Sequence, residues 1–394
     1  MGRDDARRHE WMALLMLWLA GNALRLTILA VPPVIATIRD EFHLSATQVG
    51  LLGSIGPALF AIAAMAGSLI VARLGVRAAL VGGLVIVAVG SALRGLSGNY
   101  AVLLATTIFM AAGVAIMQPI MPTAVRHWVP SRIGLATAIY TNGLLVGEVI
   151  PVMLTIPVVL PLVGGSWRGS LVVWSALIAL IAVIVQMFAP HVQGEHAFNP
   201  GRLQKWVPDW RSPLVWRLGI LFGCVNSVYF STNAFIPVFL ANSGRSDLIG
   251  PTLTALNFGQ LPASALLLVT AHRLERSALP YLVSGLLSLL SVIGMIGQSG
   301  AMSVLWAGVL GFSDAAALIV GLTLPAMLCR PEDVARTAAG AFTISYGSAV
   351  VIAVIGGALW DVTGIPAMAF VPIALCAGGL VLSTLWMRAK RELI

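Results

Sequence analysis

The sequence predicts an all-α integral membrane protein of twelve transmembrane helices arranged as two six-helix halves. Three observations carry that expectation. Hydrophobic residues fill 59% of the 394 positions and charged residues only 10%, with a mean hydropathy of +0.95, far from the balance of a soluble globular domain. Apolar runs near the roughly 20 residues needed to cross about 30 Å of hydrocarbon recur along the whole chain. A single sizeable polar stretch interrupts them, close to the middle.

The runs fall at 11–38, 47–72, 77–97, 100–126, 133–160, 170–189, 214–241, 248–271, 279–298, 302–329, 334–360 and 366–387. The first follows a charged lead with Arg3, Arg7 and Arg8; it is too long for a signal-peptide core and lacks an A-x-A cleavage site, so it reads as a retained span. Segment 190–213, "PHVQGEHAFNPGRLQKWVPDWRSP", is polar and rich in Gly and Pro, as expected of a linker between an N-terminal half at 1–189 and a C-terminal half at 214–394. Pro119, Pro122, Pro151, Pro157, Pro262 and Pro325 lie within or at the ends of spans, where they remove helix hydrogen bonds and bend the chain.

Charge placement orients the spans. With the N-terminus inside, eighteen of the 23 Lys and Arg residues fall in cytoplasmic segments, and only Arg39, Arg94, Arg168 and Arg245 fall outside. The positive-inside rule therefore places both termini in the cytoplasm of a bacterial-type inner membrane. The same scatter excludes nucleic acid as a partner despite a pI near 10.1, because no basic stripe forms. Cys224, Cys329 and Cys376 lack paired spacing or a His cluster, so neither a disulfide framework nor a metal site is expected, and no cofactor is implied.

At an offset of 204 residues Asn22 falls on Asn226, Pro33 and Val34 on Pro237 and Val238, Arg126 on Arg330, Arg132 on Arg336 and Gly143 on Gly347. That placement fits a parallel repeat.

Three charges interrupt the spans. Arg25 lies 14 residues after Trp11, about 21 Å along its helix, where a charge costs roughly 2.5–3.5 kcal/mol on insertion scales. Its guanidinium is either a structural ion-pair partner, a snorkelling group, or a planar fork of donors for a small anion. Glu148 lies at a similar depth in the fifth span, and three readings stay open: a fixed partner for Arg25, a proton carrier, or a counter-charge for a substrate ammonium. Asp314 in the tenth span is either a water-lined proton relay or a carboxylate bonded to backbone at a kink. Polar residues at helical spacing share faces: Asn22 with Arg25; Asn226, Tyr229 and Asn233; Asn257, Gln260 and Ser264; Thr343 and Tyr346. Such a face meets either a wet cavity or another helix.

The chain resembles the major facilitator superfamily along its whole length and, within it, the cyanate and 2-nitroimidazole permease family. The residues that carry the resemblance are "ALRLTILAVPPVIATIRDEFHLS" at 23–45, "GSWR" at 165–168 and "WDVTG" at 360–364. "ARLGVR" at 72–77 stands for the superfamily's loop between spans two and three, with Ala72 where that motif has Asp. The resemblance implies alternating access, a monomer, a first-span recognition arginine at Arg25, and a small residue at 148, so Glu148 is a departure.

No HExxH, GxSxG or Walker pattern occurs and no histidine joins a nucleophile, so an enzyme is not expected. A channel or structural membrane protein is the remaining non-carrier alternative. The expected function is secondary transport of a small anionic or strongly polar solute, cyanate-like, with proton coupling. Expected solute-binding residues are Arg25, Asn22, Glu148, Tyr229, Asn226, Asn233, Tyr346 and Gln260; Glu148 and Asp314 are the proton-coupling candidates. Export of nitroimidazole-like or other small toxic compounds is the alternative direction.

Overall fold

The computed structural model describes residues 3–118, 120–190, 208–274, 277–298, 300–322, 324–329 and 333–389. Most of the 190–213 linker expected from the sequence lies outside these residues. The described chain is helical, with no strand. Its helices are α1 (Arg3–Leu29), α2 (Ile35–Phe42), α3 (Ala46–Leu74), α4 (Val76–Gly95), α5 (Tyr100–Met117), α6 (Ile120–Trp128), α7 (Ile133–Leu154), α8 (Leu160–Leu162) and α9 (Trp167–Phe188), then α10 (Pro213–Asn242), α11 (Ile249–Phe258), α12 (Gln260–Leu274), α13 (Leu279–Gly297), α14 (Ala301–Gly321), α15 (Leu324–Leu328), α16 (Val334–Thr363) and α17 (Val371–Ala389). All twelve apolar runs of the sequence are covered. Among the described residues, ten stretches are long and apolar enough to cross a membrane, and Ala46–Ala61 is a shorter apolar helix.

The extra helices arise because several spans are broken, and prolines set the breaks. Proline has no N–H, so the carbonyl four residues earlier loses its helical donor. α1 ends at Leu29, four before Pro33; α11 ends at Phe258, four before Pro262; α14 ends at Gly321, four before Pro325; and α5 ends beside Gln118, four before Pro122. In the fifth span the helix widens into a π turn at Thr155–Val159, which contains Pro157, and the Trp174 indole N–H donates to Thr155 Oγ1 at 3.0 Å. Pro57, Pro151 and Pro237 sit within continuous helices.

The chain divides into two compact units. One holds Met1–Val34 and Ile62–Pro200, the other Ile35–Ala61 and Gly201–Ile394. In the first, α1 packs along α7, and α4 packs on α5 and α9. In the second, α10 packs along α16, and α13 on α14 and α17. The same pairing scheme thus recurs at the repeat offset. Leu180, Val183, Met187, Ile293 and Leu305 are exposed, as expected of helix faces that meet lipid chains.

Arg94, expected near the outer end of the 77–97 run, is a fully buried residue of α4. Its Nη2 donates to the Thr27 carbonyl at 2.8 Å and to Ser91 Oγ at 3.0 Å. The reason lies in the α1 break: the Val31 N–H turns to Ile28 O, leaving the Thr27 carbonyl to find its donor elsewhere. The other three arginines expected outside act alike. Arg39 Nε donates to Leu44 O at 3.2 Å, Arg168 Nη2 to Ser97 O at 2.9 Å, and Arg245 Nη1 to Gln298 O at 2.8 Å. Each carbonyl lies at or just beyond the C-terminal end of a helix, where a cation complements the exposed dipole.

Within the second unit, α3 begins under the carboxylate of Asp361 from α16. Asp361 accepts from the N–H of Ala46 at 2.7 Å, the N–H of Thr47 at 2.9 Å and Thr47 Oγ1 at 2.5 Å. One turn earlier, a Cβ on Gly357 would sit 2.5 Å from the Ala46 carbonyl oxygen, so the two helices touch backbone to backbone. Asp361→Ala removes this cap, and thermal unfolding of the detergent-purified protein should report a loss of about 1 kcal/mol, with Asp361→Asn between variant and parent.

Candidate functional site

In the first unit the site grows from the α1–α7 seam. Gly143 and Gly147 lie on the α7 face turned to α1, and a Cβ at either would overlap the carbonyl oxygen of Trp18 or Asn22. Glycine is what lets the backbones meet. The seam is tied further by Trp18 Nε1, which donates to Asn142 Oδ1 at 3.0 Å. Next to Gly147 stands Glu148, and one turn beyond Asn22 stands Arg25. The two charges meet: Arg25 Nε lies 3.3 Å from Glu148 Oε1, with the side chains only 11% and 7% exposed. Their equal depth in the sequence is realised as a buried ion pair mounted on rigid backbone. Asn22, 3% exposed, donates through Nδ2 to the Trp18 carbonyl of its own helix at 3.1 Å.

The second unit shows what the same seam does without charge. At the 204-residue offset Arg25 corresponds to Tyr229 and Glu148 to Ile352, yet α10 and α16 pack along each other as α1 and α7 do. A salt bridge is therefore no requirement of this packing. Tyr229 instead donates its hydroxyl to Asn257 Oδ1 at 2.7 Å. Asn257 Nδ2 donates to Asn233 Oδ1 at 3.0 Å, and Asn233 Nδ2 donates to the Tyr229 carbonyl at 3.1 Å. Asn226 Nδ2 donates to Ser345 Oγ on α16 at 2.7 Å. The polar face of the seventh span thus meets neighbouring helices through amide and hydroxyl bonds.

Tyr346, 8% exposed, belongs to an aromatic cluster. Its ring stands edge-on to Phe60 at 5.2 Å and to Phe230 at 6.3 Å, and stacks on Phe342 at 6.0 Å between centroids. Sequence reasoning missed Phe60, Phe230 and Phe342, since an apolar ring in an apolar span carries no signal. Gln260 opens α12 directly after the break at Gly259 and is 6% exposed. Asp314 on α14 is 4% exposed and lies one turn after Gly311, where a Cβ would overlap the Leu256 carbonyl of α11. Among the described residues no group of three His, Cys, Asp or Glu side chains is arranged to hold a metal ion.

Comparison with known proteins gives the wider setting. The model of the family described as Major Facilitator Superfamily matches residues 14–276. The cyanate transport protein CynX of Escherichia coli (strain K12) is 26% identical over 377 residues, covering 94% of this chain and 96% of that protein. The 2-nitroimidazole transporter of the same organism is 24% identical over 306 residues, covering 77% of this chain and 76% of that protein. The crystal structure of the nucleoside transporter NupG superposes with a TM-score of 0.75 at 12% identity, covering 97% of this chain and 98% of that one; at that identity the likeness is one of fold.

The packing comparison separates the ion pair from the seam beneath it. Arg25→Gln or Glu148→Gln alone removes one partner of a buried ion pair and should cost roughly 3–5 kcal/mol of stability. The double variant should cost less than either, and thermal denaturation of the four proteins in a double-mutant cycle measures the difference. Additive losses would mean that the two side chains do not interact.

Proposed function

Because this chain belongs to the Major Facilitator Superfamily and is a multi-pass membrane transporter, we propose that it carries a small anionic or strongly polar solute of the cyanate kind by alternating access, driven by protons. The observation that carries this reading is the Arg25–Glu148 pair: two charges placed in a seam whose counterpart in the second unit has Tyr229 and Ile352 at the matching positions. A buried guanidinium offers a planar set of donors to an oxyanion or a polarised oxygen. A charge placed at this depth carries an insertion cost and by default marks a solute or ion pathway.

Asn22 sits one turn from Arg25 on the same helix and supports the recognition face. In the second unit Asn226, Tyr229, Asn233 and Gln260 supply amides and a hydroxyl near the α11–α12 break, and Tyr346 adds an aromatic wall. We assign Glu148 and Asp314 as the groups able to take up a proton. Binding is to a monomer in a bacterial inner membrane with both termini in the cytoplasm. Relationship to a 2-nitroimidazole transporter and the aromatic cluster about Tyr346 favour a second reading, export of a small planar nitro-heterocycle.

Uptake into proteoliposomes separates the readings. Cyanate, formate or nitrate should accumulate in wild-type vesicles, and Arg25→Ala should lower the initial rate at least tenfold at equal protein content. Unchanged uptake in that variant would refute Arg25 as the recognition group. An imposed inward proton gradient should raise accumulation several-fold. Indifference to the gradient would refute proton coupling, and flux of nitroimidazole in place of the anions would establish the second reading.

A further inference from the structure

The arrangement at Arg25 points to more than a recognition group with a proton carrier nearby, because one of the two already occupies the other. Glu148 Oε1 lies 3.3 Å from Arg25 Nε, so an internal carboxylate holds the guanidinium edge that an incoming anion would need. The neighbours cannot make room easily. On one side of the pair the α1 and α7 backbones touch at Gly143 and Gly147, and Trp18 is tied to Asn142.

We propose that Glu148 is a built-in competitor of the transported anion: a solute anion takes its place on Arg25 only when Glu148 binds a proton, so each anion enters with one proton. The inference rests on the reading that Arg25 receives the solute. It narrows the substrate class to small monoanions, oxyanions or short carboxylates, because a monoanion plus a proton leaves the charge of the site unchanged. Two negative charges on one guanidinium would leave one of them buried and unpaired, which costs several kcal/mol. The balance is simple. The Glu148 carboxylate gains a proton and becomes a neutral acid, its ion pair with Arg25 breaks, and the anion forms the new one; on release the proton leaves and the internal pair closes again.

Among the described residues, the charged and titratable groups on the elements packed against α7 are these. From α1 the charge facing it is Arg25. Glu10, at the other end of α1, pairs with Arg132 at 3.4 Å. α6 brings Arg126 and His127 in its last turn, with His127 Nδ1 at 2.8 Å from the Thr123 carbonyl, and the π turn at Thr155–Val159 brings no titratable side chain. Asp314 belongs to the other compact unit. In that unit the residues aligned with the pair, Tyr229 and Ile352, offer neither a cation nor a carboxylate, so the exchange belongs to the first unit.

Titration calorimetry of the purified full-length protein with sodium cyanate, formate and nitrate, in pairs of buffers with different ionisation enthalpies, counts the protons taken up per anion. The wild type should take up close to one proton at pH values where its apparent affinity falls about tenfold per pH unit, the slope of a single linked proton. Glu148→Gln should bind the same anions with no proton uptake and no pH slope, while Glu10→Gln, which alters a carboxylate at the other end of α1, keeps the wild-type count. Wild-type binding without proton uptake, or a Glu148→Gln variant with the slope intact, would overturn the inference and leave Arg25 recognition standing. Absence of anion binding at every pH would overturn recognition by Arg25 and the exchange together.

Discussion

Every backbone group in a hydrocarbon layer has to find its partner inside the protein, and that requirement governs how this chain is built. Proline sets the places where a helix fails, at Leu29, Phe258 and Gly321, and each failure releases a carbonyl. Arginine then repairs helix ends. Arg94 does so from within α4, reaching the Thr27 carbonyl although it is fully buried; Arg39, Arg168 and Arg245 do so at the ends of α2, α4 and α13. The positive-inside rule counts these four as exceptions. Their hydrogen bonds give each of them a structural use: each is spent on the end of a helix.

Arg25 is different in kind. It is directed to a carboxylate and not to a helix end, and its partner stands on a neighbouring helix pressed close by glycine. Since lipid gives helices no hydrophobic reason to associate, the α1–α7 contact depends on shape, and shape requires Gly143 and Gly147. That fixed contact is what sets the pair geometry. Long side chains on loosely packed helices would find many arrangements; here the separation of the backbones leaves few. The uncharged α10–α16 seam serves as an internal control, built on the same plan with a tyrosine and an isoleucine at the matching positions.

Much of this was legible in the sequence. Hydropathy located the twelve runs because a span must be long and apolar whatever it packs against. Counting residues from the starts of the first and fifth spans put Arg25 and Glu148 at one depth, because helical rise is constant. What the sequence could not convey depends on partners distant along the chain. Arg94 read only as an outside charge at a span end because hydropathy records its polarity and not the carbonyl it serves. Asn226, Tyr229 and Asn233 were rightly placed on one face, but periodicity cannot tell a wet cavity from another helix, and their bonds run to Ser345 and Asn257. Asp361 stood out only as part of the WDVTG motif and not as a cap, since that role exists only where Ala46 and Thr47 present their N–H groups.

The capping of α3 by Asp361 belongs to a unit that includes Ile35–Ala61, a segment far earlier in the chain than the rest of that unit. The polypeptide therefore passes from one unit to the other at three places, at 34/35, 61/62 and 200/201, the first just after Pro32 and Pro33 and the second four residues beyond Pro57. A nick in the polar linker would cut one tether and leave two. A fragment ending at the linker would carry the N-terminal half of α3 without the Asp361 carboxylate that receives its first N–H groups.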